Sequence, residues 1–225
     1  MARKATVIGA SGLIGRTLLD LLLRDGYYEE VHIMVRKSLN LSDPKLTEHI
    51  VDLADPVAYE LPISGAETVF SAIGTTMKKV KGDRDAYKKV DFDIPVTAAK
   101  TAAKFGVYGF VLVSSVGANA ADNNNFYLKL KGIVEETITK ESIPYVIIFR
   151  PSLLMGHREE RRIGESIAQF LAPVFGGLLM GKWRVYKPIN AAEVAKAMLL
   201  VGKSPKKGIF IYTYDDIKKI GLQVV

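Results

Sequence analysis

Short apolar runs alternate with longer helical patterns along this chain of 225 residues. The runs predict strands at Ala5–Ile8, Val31–Val35, Ile50–Asp52, Thr68–Ser71, Phe110–Ser114, Tyr145–Arg150 and Ile209–Tyr212. Between them, apolar positions at helical spacing predict helices at Leu13–Arg24, Asp91–Phe105, Phe126–Glu141 and Ala191–Val201. Strands that alternate with helices indicate βαβ units, and therefore an α/β fold with a doubly wound parallel sheet.

The regular alternation stops after Arg150. Residues 151–188 are rich in Gly and Arg, and we interpret them as most of a small substrate lobe on the C-terminal side of the sheet. We expect residues 1–225 to form a single domain. A ligand site in such a fold lies beyond the carboxyl ends of the strands, so the residues that follow each strand carry the functional prediction.

A glycine-rich turn, Gly9-Ala10-Ser11-Gly12-Leu13-Ile14-Gly15, follows the first strand directly. Gly9 permits a tight turn, Gly12 lets a pyrophosphate approach the backbone, and Gly15 allows the helix to pack closely on the strand. The amides of Gly12, Leu13 and Ile14, with the helix dipole, would donate to phosphate. We predict a dinucleotide site that includes Ser11, and a packing turn without ligand is the alternative.

Three further strand ends supply candidates for the rest of the dinucleotide. Arg36 and Lys37 follow the second strand, where two cations would pair with a 2′-phosphate, so the sequence favours NADP(H) over NAD(H). The alternative is a polar strand end without ligand. Asp52 and Leu53 could contact the adenine. The small residues after the fourth strand would let the backbone pass close to a ribose; they are Ser71, Ala72, Ile73 and Gly74.

A serine pair and a tyrosine-lysine pair indicate redox chemistry. Ser114 and Ser115 end the fifth strand, and Tyr127 and Lys131 follow at the spacing that puts both on one helix face. A lysine ammonium favours the phenolate form of a nearby tyrosine, which makes the phenol a usable acid. A serine hydroxyl can hold a substrate carbonyl, and strand alternation allows only one of the two serines to face the site.

Together these segments resemble the atypical branch of the short-chain dehydrogenase/reductase superfamily. The segments GASGLIGR, FSAIGTTMKK, FVLVSSVGANA, NFYLKLKGIVEE and FRPSLLMGHREE are similar to the Tat-interacting-protein type of oxidoreductase over about residues 5–200. The resemblance implies a Rossmann sheet, NADPH as the usual cofactor and a small carbonyl or alcohol substrate. It implies that Tyr127 is the general acid, that Lys131 binds the nicotinamide ribose and tunes the phenol, and that Ser115 polarises the carbonyl. It also implies that Pro151, Ser152 and Leu153 line the nicotinamide.

The sequence departs from this superfamily at one supporting position. Many members place an asparagine on the helix before the fifth strand to support the lysine through water, whereas this chain offers Asp91. A regulator or scaffold of the NmrA-like kind, which senses the cofactor without chemistry, is the alternative function. A subunit that holds NADPH structurally in an electron-transfer assembly is a further one.

Composition and charge limit the partners, metals and cellular location that we expect for this chain. The net charge is +7, but the Lys and Arg residues form small scattered groups without interleaved aromatics, so we expect no nucleic-acid partner. No apolar run reaches the roughly 20 residues that span a bilayer, so we expect no integral membrane segment. The chain has no cysteine and its three histidines are not spaced as metal ligands, so we assign no metal. We expect a cytoplasmic location, because the chain has no cysteine for disulfides and a signal peptide before the glycine turn is not expected.

Overall fold

Seven parallel strands form the central sheet in a computed structural model that describes residues 2–156, 181–203 and 206–222. The strands are β1 (Lys4–Ile8), β2 (Glu30–Val35), β3 (Leu46–Ile50), β4 (Thr68–Ser71), β5 (Gly109–Val113) and β6 (Tyr145–Phe149), then the two-residue β7 (Leu154–Met155) and β8 (Ile189–Asn190), and β9 (Gly208–Tyr212). The order in the sheet is β3-β2-β1-β4-β5-β6-β9, while β7 and β8 pair separately. The direction of winding reverses between β1 and β4, which opens a crevice at their carboxyl ends.

Helices cover both faces of the sheet, as the predicted doubly wound fold requires. They are α1 (Leu13–Arg24), α2 (Glu60–Ile63), α3 (Arg84–Lys88), α4 (Ile94–Lys104), α5 (Phe126–Ile138), α6 (Ala191–Gly202) and α7 (Tyr214–Gly221). Short 3₁₀ turns span Pro56–Tyr59 and Gly181–Tyr186, and a π-helical turn, Lys89–Asp93, joins α3 to α4.

Two hydrophobic cores lie on opposite sides of the sheet. Successive strand residues enter different cores, so Val7 packs with α1 and α6 while Ile8 packs with α4 and α5. Both cores are built mainly from fully buried aliphatic side chains. This two-sided burial explains why most strands appear in the sequence as continuous apolar runs. The predicted fold class is confirmed.

Several predicted boundaries are wrong for identifiable reasons. The third strand is Leu46–Ile50 instead of Ile50–Asp52, because it is an edge strand whose half-exposed residues include Thr and Glu. The helical backbone predicted from Asp91 begins already at Arg84, and α5 ends at Ile138 instead of Glu141. Helix α7 was not predicted, although Thr213 and Asp216 form a capping box at its start.

The predicted lobe at 151–188 is described only in part. Residues 151–156 and 181–188 contribute β7, the 3₁₀ turn Gly181–Tyr186 and the approach to β8. His157 and the remainder of the predicted lobe up to residue 180 lie outside the described residues. The assignment of one domain with a substrate lobe therefore stays a prediction.

The glycine turn leaves no room for larger side chains where α1 meets β1. Gly9 has a φ of +89°, and a Cβ on Gly15 would lie 2.1 Å from the Gly9 carbonyl oxygen. Backbone atoms form this contact, so a side-chain rotation could not relieve it. The close approach fixes the start of α1 directly over the end of β1.

We predict that Gly15→Ala lowers the free energy of unfolding by about 1–3 kcal/mol, because an added methyl group must displace backbone. Urea unfolding measures this loss. Gly26→Ala is the matched control, since a Cβ there would meet no atom within 4 Å. Equal stability of the Gly15 and Gly26 variants would contradict the packing account.

Candidate active site

One cavity of about 740 Å³ lies at the carboxyl ends of the central strands. Its walls come from the start of α1, the segment after β4, the end of β5, the first turns of α5 and the segment after β6. Of the predicted site residues, it is lined by Gly12, Leu13, Ile14, Ala72, Ile73, Gly74, Ser115, Tyr127, Lys131, Pro151 and Ser152. Residues that were predicted from the ends of several strands, far apart in the sequence, therefore line the same cavity.

The glycine turn presents the start of α1 to this cavity. The amide of Gly12 donates to the Gly9 carbonyl at 2.8 Å, so the expectation that this amide is available to phosphate is wrong. The amides of Leu13 and Ile14 stand in the first helical turn, where no carbonyl of the helix can bond them. The first turn also has no acidic residue, so the positive end of the helix dipole is not compensated there.

Helix α5 brings Tyr127 and Lys131 to the cavity wall. Asn125 caps the helix, its side-chain oxygen accepting from the amides of Tyr127 at 2.9 Å and Leu128 at 3.2 Å. The ring of Tyr127 packs edge-on against Tyr87, with ring centroids 6.5 Å apart. The cap and the aromatic contact together fix where the phenol emerges from the helix.

Lys131 is buried and forms a direct ion pair. Its Nζ lies 2.9 Å from Oδ1 of Asp91, and the two side chains are only 8% and 2% exposed. The other oxygen of Asp91 accepts from the Thr75 amide at 2.7 Å. Burial is the largest single influence and lowers the pKa of Lys131, but the charges of Asp91, Tyr127 and Glu135 and the hydrogen bond to Asp91 together outweigh it and raise that pKa above its usual value. The lysine is therefore a cation at neutral pH.

The two serines at the end of β5 have different environments. The Ser114 hydroxyl donates to Glu135, a buried carboxylate that also accepts from Nε of Arg150 at 3.0 and 3.1 Å. The hydroxyl of Ser115 makes a weak local contact of 3.3 Å with the Val116 carbonyl. Both serines line the cavity, so the expectation that only one of them faces the site is wrong. Ser114 is engaged with α5, whereas Ser115 retains the weaker bond that a ligand could replace.

The other predicted binding residues do not line the cavity. Arg36 and Lys37 are exposed immediately after β2, and Asp52 is exposed after β3. The side chain of Leu53 lies in the core, and its carbonyl accepts from the Tyr59 hydroxyl at 2.7 Å. The remaining predicted binding residues that do not line the cavity are Gly9, Ser11, Gly15, Ser71 and Leu153. Ser71 is buried, and its hydroxyl has no hydrogen-bond partner in the part of the chain that the structure describes.

Sequence reasoning missed several cavity residues. Tyr87, Asn125 and Leu154 line it, as do Thr75, Thr76, Met77 and Lys79, which extend the predicted small-residue segment after β4. Trp183 and Tyr186, which the sequence offers either as a wall of the substrate pocket or as packing within the lobe, have ring centroids 5.9 Å apart and line the cavity from the Gly181–Tyr186 turn. The ion pair of Asp91 with Lys131 was not predicted, but Asp91 had a signal in the sequence, since it stands where the resemblance leads us to expect an asparagine. No local pattern marks the others, because their positions depend on how the segments meet.

Comparisons with known proteins agree with this arrangement. A family model described as NAD(P)H-binding matches residues 9–174. Protein FMP52, mitochondrial, of Debaryomyces hansenii is 35% identical over 205 residues, which cover 89% of this chain and 88% of the relative. Protein HTATIP2 of Rattus norvegicus is 30% identical over 205 residues, which cover 90% of this chain and 82% of the relative.

Solved structures share the fold at low sequence identity. MoeE5 in complex with UDP-glucose and NAD superimposes with a TM-score of 0.69 at 16% identity, covering 97% of this chain and 80% of that chain. A short-chain dehydrogenase/reductase superfamily protein from Agrobacterium tumefaciens with bound NAD also gives 0.69 at 16% identity, covering 95% of this chain and 78% of its own. At this identity the likeness establishes the architecture alone.

The expectation of a cytoplasmic location is wrong. The FMP52 relatives from Debaryomyces hansenii, Candida albicans, Chaetomium globosum and Coccidioides immitis are named mitochondrial proteins, which points away from the cytoplasm. The absence of cysteine, on which the expectation partly rested, does not distinguish one reducing compartment from another.

No helix in the described part of the chain is both long enough and apolar enough to cross a bilayer. The family model and the relatives extend over most of the sequence that supplies the cavity walls. The chain therefore belongs to the NAD(P)H-binding family, with a Rossmann-type sheet, and is similar over most of its length to the FMP52 and HTATIP2 proteins.

Proposed function

We propose that this protein is an NADP(H)-preferring oxidoreductase that transfers hydride between the nicotinamide and a small carbonyl or alcohol substrate. The observation that carries the proposal is the shared cavity, whose walls include the amide-bearing start of α1 together with Ser115, Tyr127 and Lys131. A site for phosphate alone would not need a tyrosine and a buried lysine in the same space. A site for acid-base chemistry alone would not need the glycine turn.

The residues present fit a nicotinamide dinucleotide. The absence of a side chain at Gly12 and the available amides of Leu13 and Ile14 suit its pyrophosphate. Lys131 would hold the nicotinamide ribose, and Pro151 and Ser152 would border the nicotinamide. Ala72 has a small side chain and Gly74 has none, so a ribose could lie close to the backbone after β4. When bound, the dinucleotide supplies or accepts the hydride.

Arg36 and Lys37 support the preference for NADP(H). Both are exposed cations directly after β2, the strand end at which dinucleotide-binding folds contact the adenosine ribose. An arginine can bond a phosphate through two parallel N–H groups, whereas an acid at this position would repel it. The pair would therefore recognise a 2′-phosphate.

The catalytic roles follow from the side chains at the other end of the cavity. During carbonyl reduction the carbonyl carbon gains hydride and its oxygen gains the proton of the Tyr127 phenol, which yields the alcohol. The Lys131 ammonium stabilises the phenolate that remains until solvent returns the proton. The Ser115 hydroxyl donates to the carbonyl oxygen as negative charge develops on it. Alcohol oxidation uses the same groups in reverse.

Replacing both cations, Arg36→Ala with Lys37→Ala, is expected to weaken NADPH binding by roughly tenfold to a hundredfold, the effect of losing about 1.5–3 kcal/mol of charged hydrogen bonds. NADH binding should change little, because NADH lacks the 2′-phosphate. Fluorescence titration of both cofactors measures this. Lys140→Ala with Lys207→Ala, two exposed lysines outside the cavity, is the control. Tighter binding of NADH than NADPH by the unmodified protein would refute the preference.

Tyr127→Phe is expected to abolish turnover while NADPH binding stays within about twofold, because only the acidic hydroxyl is removed. Turnover is followed at the NADPH absorbance band with a panel of small aldehydes, ketones and alcohols. Tyr108→Phe, at the opposite end of β5 from the cavity, is the control and should retain full activity. NADPH binding without turnover of any substrate in the panel would contradict the reductase and favour a cofactor-sensing regulator.

A further inference from the structure

Asp91 is a carboxylate buried inside the protein beside the cavity. The residue is 1% exposed, and an unpaired charge at such a depth would be strongly unfavourable. Its two oxygens are occupied by groups from different elements, Lys131 of α5 at 2.9 Å and the Thr75 amide of the segment after β4 at 2.7 Å. Asp91 thus joins two walls of the cavity to each other and to the turn that carries it.

The local backbone explains how this side chain reaches the interior. Asp91 lies in the π-helical turn Lys89–Asp93 between α3 and α4, a type of turn that is found often at functional sites. Asp93, two residues further along the same turn, is exposed. Gly74 passes so close that a Cβ on it would lie 3.5 Å from Oδ1 of Asp91. One acid of the turn faces the site and the other faces solvent.

Asp91 is the carboxylate that compensates the charge of Lys131. The other ionisable groups near the lysine are Tyr127, one helical turn before it, and Glu135, one turn after it. Glu135 is already bound to Arg150 and to the Ser114 hydroxyl. Tyr87 also interacts with Asp91: burial first, and then the charge of Asp91 and a hydrogen bond to it, raise the pKa of the Tyr87 phenol, so this phenol stays neutral. Asp91 is therefore the carboxylate in ion-pair contact with the lysine.

We propose that Asp91 is a positioning residue of the redox site, whose negative charge holds the Lys131 ammonium in place beside Tyr127 while its second oxygen fixes the cavity wall at Thr75. The proposal rests on the proposed function for its catalytic consequence, but its electrostatic content can be measured independently of turnover. A buried ion pair contributes little to stability compared with apolar packing. The contribution of this pair is therefore the fixed position of the Lys131 ammonium.

The test is Asp91→Asn, which keeps the shape and one acceptor oxygen but removes the charge. Without a carboxylate beside it, burial disfavours the charged form of Lys131, so we expect the pKa of this lysine to fall by roughly one to three units. The readout is the pH dependence of the side-chain carbon signal in protein labelled with ¹³C-lysine, with Lys131 assigned by its loss in Lys131→Arg. Asp93→Asn is the matched control and should shift the lysine by less than about 0.3 units.

Activity supplies a second readout. In Asp91→Asn the alkaline limit of carbonyl reduction should move to lower pH by the same amount as the lysine titration, whereas Asp93→Asn should follow the unmodified protein. Asp91→Glu, which keeps the charge, should restore part of the original profile. Asp91→Ser, a second variant without the charge, replaces Asp91→Asn if the latter fails to fold. If Lys131 titrates unchanged in the variant that lacks the charge, the proposal is wrong. A protein without turnover but with the shifted lysine would overturn the reductase and leave the positioning role supported.

Discussion

The contact between the glycine turn and the start of α1 is the constraint on which the arrangement of the site depends. With no side chain at Gly15, the helix begins against the carbonyl of Gly9, directly beyond the end of β1. This brings the amides of Leu13 and Ile14 to the crevice where the winding of the sheet reverses. A methyl group at Gly15 would push the helix away from that crevice, and the cavity would lose the wall that suits a phosphate.

Two buried ion pairs hold the opposite wall. Lys131 and Glu135 stand one turn apart on α5, and each is paired with a residue from another element, Asp91 and Arg150 respectively. The first pair lies at the cavity and the second behind it, where Glu135 also receives the Ser114 hydroxyl. Helix α5 is thereby fixed to the end of β5, to the residue after β6 and to the turn before α4. These contacts determine where Tyr127 and Ser115 stand in the cavity wall.

Much of this arrangement was predictable from the sequence, and the reasons differ for each part. The strands buried on both faces were evident as apolar runs, and the spacing of Tyr127 and Lys131 placed them on one helix face. The edge strand β3 was misplaced because its exposed residues break the apolar pattern. The acceptor at Gly9 that occupies the Gly12 amide was not predictable, since it depends on the three-dimensional shape of the turn. The pairing of Asp91 with Lys131 depends on a π-helical turn that no periodicity reveals.

A crystal structure with NADP⁺ bound tests the central claim, that one cavity joins a phosphate-binding turn to a tyrosine-lysine redox site. The account predicts the pyrophosphate at the amides of Leu13 and Ile14, the 2′-phosphate between Arg36 and Lys37, and the nicotinamide ring within reach of Tyr127. A dinucleotide bound at the glycine turn with its nicotinamide directed away from Tyr127 would contradict the account.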